Sequence, residues 1–297
     1  MTMEESAQVS SLAGQPEQLL ELTPEDVVRS VGNPDAEHLS YAASLLQTIP
    51  EPLYKAASSP AETPALVLAL LIDEDEAPEA QLRRSREVLG TETAQRMEAL
   101  MPLIRGLDPR LRLPMLDLAL PALKTGVGED AKGFLRCVEA LVRADQRVTP
   151  FEYALSKVLS VHLHDAVEPP AGVQWGAPVV LADRSKEVHR LLSALAQVGS
   201  AHFEAAHSAF QGGISRLPRA RWAPYEPVEP WFQGLDEALE RVDELAALHK
   251  QRVVEALTAV VASDGRVTIA EAEMLRAVCE VIHCSVPPLA ARLAGTA

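Results

Sequence analysis

The chain has 297 residues, 47% of them apolar and 23% charged, enough for one large core or two ordinary ones. A formal net charge of −15 with only 4% aromatic residues argues against a nucleic-acid surface, which needs clustered Lys and Arg and gains from stacking rings. The same charge argues against electrostatic docking on an anionic membrane.

Residues 1–22 are polar, acidic and weakly patterned, and read as a flexible tail or linker. They lack the basic region and apolar core of a signal peptide. Thr23-Pro24-Glu25-Asp26 reads as a helix start: Thr caps, Pro fits the first helical position, and acids suit the positive end of the dipole. The same grammar recurs at Asn33-Pro34-Asp35, Ser59-Pro60-Ala61-Glu62 and Asp108-Pro109. Apolar residues between these starts keep helical spacing: Leu39, Ala42, Ala43, Leu46 and Ile49, then Leu66, Val67, Leu70 and Leu71 before the acidic run Asp73–Glu76. Leu100, Leu103 and Ile104, followed by Leu116, Leu118, Leu120 and Leu123, complete a helical N-terminal block over 23–125, and Gly126 and Gly128 mark a break.

A second helical domain is expected over 126–293. Its first hairpin uses Phe134, Val138, Leu141 and Val142, then Leu155, Val158 and Leu159. A Pro/Gly stretch over 168–176, a helix carrying Val188, Leu191, Leu192 and Leu195, and a Pro/Trp loop over 217–230 lead to a last hairpin over about 235–284. Val179-Val180-Leu181 is too short for a strand, so the fold class is all-α. The longest apolar run, Ala65–Ile72, falls far short of the roughly 20 residues that span a bilayer. With three cysteines and no Cys-x-x-Cys pair, reduced thiols and a cytoplasmic setting without membrane insertion are expected.

Two stretches repeat 119 positions apart: LVRADQRVTPFEY at 141–153 and VVASDGRVTIAEA at 260–272. They lie in hairpins near 134–160 and 253–282. Thr149-Pro150-Phe151-Glu152 and Thr268-Ile269-Ala270-Glu271 both match a capping box, in which the Thr hydroxyl accepts the N3 amide and the Glu reaches back to the cap. Val148 and Val267 stand where a staple begins, with Tyr153 and Ala272 as the matching residues one turn in. Asp264-Gly265 suits a left-handed turn. A second reading takes Asp145, Glu152, Asp264 and Glu271 as ligands of a divalent metal. A self-contained calcium loop is ruled out, because Val260 and Ala262 would stand at ligand positions and have no side-chain oxygen. Capping is the preferred role of these acids, with no cofactor required beyond a weak divalent ion.

Further candidates are sparse. His162-Leu163-His164-Asp165 serves one ion only if the helix has ended, since residues two apart point away from each other. His202 and His207 do not share a helix face, and Cys279, His283 and Cys284 lack a fourth zinc ligand. No phosphate loop, nucleophile elbow or His-Glu-x-x-His is present, so the chain itself is read as non-catalytic.

VVASDGRVTIAEAEMLRAVCEVIHC resembles the signature of the TerB-like (tellurite-resistance) helical domains; the first copy departs from it with Gln146 in place of Gly. The order HLSYAASLLQTIPEPLYKAA, ALVLALLIDED, GLDPRLRLPMLDLALPALK and the two motif copies is similar to the cytoplasmic C-terminal region of bacterial membrane-bound zinc metallopeptidases of the HtpX and CAAX prenyl protease type. The resemblance implies an accessory or regulatory region. Its partner would be another protein or a peptidase domain of the same polypeptide, at the inner face of a membrane through an anchor outside this chain. The TerB-like signature alone implies a divalent-metal-binding stress-response module, with metal suggested at the matching acids.

Overall fold

The computed structural model describes residues 23–33, 36, 40, 43–44, 47–72, 78–144, 148–167, 178–200, 202–218, 222–265 and 267–287. These form helices α1 (Pro24–Ser30), α2 (Glu51–Ser58), α3 (Thr63–Leu70), α4 (Pro78–Arg105), α5 (Arg112–Val127), α6 (Ala131–Val142), α7 (Pro150–Val167), α8 (Ser185–Val198), α9 (Phe203–Ile214), α10 (Trp231–Val242), α11 (Ala247–Val261) and α12 (Ile269–Val281). The chain is all-α, with no strand among the described residues; Val179 and Leu245 make an isolated parallel bridge.

Local chemistry explains most starts. The Thr23 hydroxyl accepts the Asp26 amide at 3.2 Å, as the Thr-Pro-Glu-Asp grammar predicts. Ser59-Pro60-Ala61-Glu62 instead forms a turn, and α3 begins at Thr63-Pro64. The Thr63 hydroxyl is buried and donates to the Ala56 and Ser59 carbonyls at 3.0 and 2.5 Å, which ties the turn to the end of α2. Asp108-Pro109 opens a short 3-10 turn, with Asp108 accepting the Arg110 amide at 2.9 Å. Of the two glycines expected to mark a break, Gly126 and Gly128, it is Gly128, with φ of +49°, that ends α5. Gly126 itself lies against the Pro60 carbonyl, where a Cβ would meet the oxygen at 2.1 Å. The expected helix over Leu39–Leu46, the acidic run Asp73–Glu76 and the stretch 168–176 lie largely or wholly outside the described residues.

Two cores sit side by side. Helices α2 to α7 bury one, around Leu53, Leu66, Met97, Met115 and Leu123, and Ala277 of α12 joins it. Helices α8 to α12 bury the other, around Leu191, Phe210, Leu239, Leu257 and Leu275. Two residues from outside these helices, Val27 of α1 and Tyr153 of α7, belong to this second core. Helix α1 thus leaves the helices that follow it and lies on α11, with the Gly32 amide bonded to the Ser285 carbonyl at 3.0 Å and Glu25 paired with Arg216 at 2.8 Å.

The two units resemble one another in plan. The five helices α3 to α7 and the five helices α8 to α12 repeat a packing plan, in which the first helix of each set packs on the second and third, the second on the fourth, and the fourth on the fifth. Alignment at the 119-residue spacing places Arg112 at Trp231 and Pro150 at Ile269, so α5 and α10 start in register, as do α7 and α12. Leu116-Asp117-Leu118-Ala119-Leu120 then matches Leu235-Asp236-Glu237-Ala238-Leu239. The final helices α7 and α12 pack along one another at the seam.

Candidate functional site

The repeated motif builds two closely similar corners. In the first, the Thr149 amide and hydroxyl both donate to Glu152 Oε2 at 2.9 Å, and the hydroxyl accepts the Glu152 amide at 3.2 Å. In the second, the Thr268 amide and hydroxyl donate to Glu271 Oε2 at 2.9 and 2.8 Å, and the Glu271 amide returns at 3.2 Å. Both capping boxes therefore form, and each carboxylate satisfies a donor that would otherwise be orphaned at a helix start. Gly265 takes φ +73°, the left-handed turn expected after Asp264. Val148 is partly buried where the two cores meet, and Val267 is buried in the second core.

The other oxygen of each Glu distinguishes the copies. Glu152 is 2% exposed, and its Oε1 accepts the Gln81 side-chain amide of α4 at 2.7 Å. Both its oxygens are thus occupied inside the protein. At the second corner Gly199 takes the place of a donor, so close that a Cβ would stand 2.7 Å from Glu271 Oε1. Burial pushes the Glu271 carboxyl above its usual range; the Thr268 hydrogen bonds pull it back and the Asp264 charge adds to the rise. Asp264 is exposed, and Asp145 lies outside the described residues. No group of three or more His, Cys, Asp or Glu is disposed to hold a metal ion among the described residues.

Reciprocal ion pairs close the seam. Arg276 of α12 makes a two-pronged contact with Asp117 of α5 at 3.0 and 3.1 Å. Lys157 of α7 meets Asp236 of α10 at 2.7 Å. Asp236 is the 119-position counterpart of Asp117, and Arg276 that of Lys157, so each unit's last helix reaches the other unit's equivalent acid. Such reciprocity marks a two-fold-like, self-complementary interface. The copies satisfy the acid differently: one uses the Arg fork, the other Lys157 with the Tyr153 hydroxyl, which donates to Asp236 at 2.7 Å. Burial pushes the Tyr153 hydroxyl well above its usual range, with the Asp236 charge adding to the rise. Glu273 lies 3.4 Å from Arg276 and is buried. Burial raises the Glu273 carboxyl, with Arg276 opposing. Burial alone would lower the Arg276 guanidinium, and the Asp117 and Glu273 charges hold it above its ordinary value.

The remaining candidates separate. His162 Nε2 sits 3.2 Å from Glu280 across the seam, whereas His164 is exposed and the Asp165 side chain lies outside the described residues. Burial opposes ionisation of Glu280, but hydrogen bonds from His162 and Ser285 lower its pKa overall. His283 has φ +54° and closes α12: its amide bonds the Glu280 carbonyl at 3.0 Å, and the Cys284 amide bonds that of Cys279 at 2.8 Å. This turn keeps both thiols buried and directs the His283 ring to Asp243 at 2.9 Å. His207 instead stacks on Phe203, with ring centroids 6.1 Å apart.

The Pro/Trp loop forms the wall of a surface groove of about 700 Å³ between α8 and α10. Gln197 clamps the loop, accepting the Val228 amide at 2.7 Å and donating to Glu229 at 3.2 Å. His189 lies 2.9 Å from the Pro224 carbonyl. Tyr225 is buried against Phe210, and Trp231 packs edge-on to Tyr153 at 5.2 Å. Trp222 remains half-buried on the groove wall, donating to the Pro218 carbonyl at 3.3 Å. Compared with known proteins, the chain matches no family model, no curated protein and no solved structure.

Proposed function

We propose that the chain is a non-catalytic accessory or regulatory region that holds a protein partner, as its resemblance to the C-terminal region of membrane-bound zinc metallopeptidases implies. The observation that carries this reading is the groove beside the Pro/Trp loop. Its wall is an extended segment fixed at both ends by Gln197 and His189, so little ordering entropy is lost when a partner enters. Lys186, Arg190, Glu226 and Glu237 surround the half-buried Trp222, a charged rim about an aromatic anchor. The partner in this reading is a peptidase domain carrying His-Glu-x-x-His, in the same polypeptide or in a separate chain. The test is binding of such a domain in trans, measured by biolayer interferometry. Trp222→Ala should weaken binding by about tenfold or more. Absence of binding, or equal binding by the variant, overturns the reading, as does peptidase activity from this chain alone.

A second reading has its own support. Asp264 and Glu271 lie close enough for one to raise the other's pKa, and Gly199 leaves Glu271 Oε1 without the amide partner that Gln81 gives Glu152. A divalent cation would relieve that repulsion, in keeping with a TerB-like metal-binding stress-response module. Stabilisation by calcium or zinc that disappears in Asp264→Ala and in Glu271→Gln would support it; unchanged melting at excess ion would overturn it.

A further inference from the structure

We propose that the face between α4 and α6 is a binding site for a compact, multiply charged phosphate such as a pyrophosphate group. A surface groove of about 600 Å³ opens there, lined by Arg83, Arg84, Arg136 and Arg143 with Glu87 and Glu139. Four guanidinium groups converge on one cleft in a chain whose net charge is −15.

Helix periodicity puts them there. On α6 and the turn that ends it, Arg136 and Ala140, then the C-cap Arg143 and Ala144, continue one face at helical spacing, while Phe134, Val138, Leu141 and Val142 enter the core on the other. Arg136 in α6 and Arg143 at its C-cap stand seven residues, about 10 Å, apart along the axis, and the alanines between and beyond them leave a low floor. Arg84 is paired with Glu87 at 3.1 Å and Arg143 with Glu139 at 3.0 Å. Arg83 and Arg136 make no ion pair with a described acid, so the groove keeps two guanidinium groups in excess of its own carboxylates.

The duplication supplies a control. At the 119-residue spacing, α11 and the turn after it carry Glu255, Ala259, Ala262 and Ser263 where α6 and its turn carry Arg136, Ala140, Arg143 and Ala144. The second unit builds the corresponding helix without any of the arginines, so the fold does not require them. Their clustering in one unit alone is a specialisation of that surface. The ligand class follows from the lining. Guanidinium forks match tetrahedral oxyanions, and two unpaired forks ask for at least two negative charges. No aromatic ring lines the groove to stack a base, which favours a bare polyphosphate group over a nucleobase-bearing strand.

Isothermal titration calorimetry at low salt with pyrophosphate and tripolyphosphate tests the assignment. Saturable binding is expected, weakening as salt is added and falling by about tenfold or more in Arg83→Ala/Arg136→Ala. Arg29→Ala/Arg241→Ala, two arginines elsewhere paired with their own acids, should leave it unchanged. Should the double alanine variant melt early, Arg83→Gln/Arg136→Gln takes its place. Absence of binding, or full binding by the groove variants, overturns the proposal. An oligoglutamate peptide of matched charge that binds as tightly as pyrophosphate also overturns it, making the groove a site for acidic peptides.

Discussion

Arg276→Met is the most informative single change at the seam. The guanidinium is buried and holds both Asp117 and Glu273, whose side chains are 41% and 8% exposed. Asp117 can regain water when Arg276 is lost, but Glu273 cannot. Removing one partner of a buried ion pair typically costs about 3–5 kcal/mol, because the other charge is left uncompensated. The loss should depend on pH. Burial raises the folded-state pKa of Glu273 above its unfolded value, and Arg276 opposes that rise. A carboxylate raised in the folded state lowers stability as pH climbs from the unfolded pKa towards the folded one. Without Arg276 the rise is larger, so the deficit relative to the unmodified protein is greatest at neutral pH and shrinks on acidification. Lys157→Met at the equivalent position should cost about 1 kcal/mol or less, since Lys157 and Asp236 are partly solvated at 26% and 32% exposure. Urea unfolding followed by circular dichroism, at neutral and mildly acidic pH, measures all of this. Equal losses for the two variants, or a pH-independent deficit for Arg276→Met, would show that Glu273 does not depend on Arg276 for its charge.

Thr268→Ala removes one capping hydroxyl and should cost about 1 kcal/mol. Thr149→Ala should cost more, because Glu152 is 2% exposed and the lost hydroxyl donor serves a carboxylate that water cannot reach; urea midpoints compare the two. Gly213→Ala should destabilise by roughly 1–3 kcal/mol through overpacking, since its Cβ would meet Val260 at 2.5 Å and the Ala256 carbonyl at 2.9 Å. Its neighbour Gly212, with only the Ala259 carbonyl at 3.5 Å, should tolerate Ala without loss in a thermal melt. Alkylation of the folded protein should reach Cys137 first, because it is partly exposed whereas Cys279 and Cys284 are buried, burial pushing all three thiols up; peptide mass spectrometry reads the order.

The helical class was legible because apolar spacing, Pro at first turns and Thr caps agreed over most of the chain, as at Thr23 and at both boxes. Helix α4 was the main element not foreseen. Its 28 residues hold many charges and Pro102, and only Leu100 to Ile104 carried a readable face. A longer correspondence between the units shows once the helices are packed: Leu-Asp-x-Ala-Leu recurs at 116–120 and 235–239 with the same spacing as the acidic motif. Gln81 as the partner of Glu152 was not legible. It lies 71 positions away, and a lone Gln in a charged helix carries no signal until the helices are packed. The arginines of the α4–α6 groove were similarly hidden, since their convergence comes from two helices and not from a run of basic residues.

In the proposed function the repeated glutamates serve as helix caps, and partners engage the surfaces around them. A melting series with calcium, zinc and manganese at about 1 mM, on the unmodified chain and on Asp264→Ala and Glu271→Gln, tests it most directly. An ion that binds the native state at 100 times its Kd would stabilise it by about 2.7 kcal/mol, a shift that is easily seen. No ion-dependent rise in Tm is expected for any of the three proteins. A rise of several degrees in the unmodified chain, absent from both variants, would contradict the capping role.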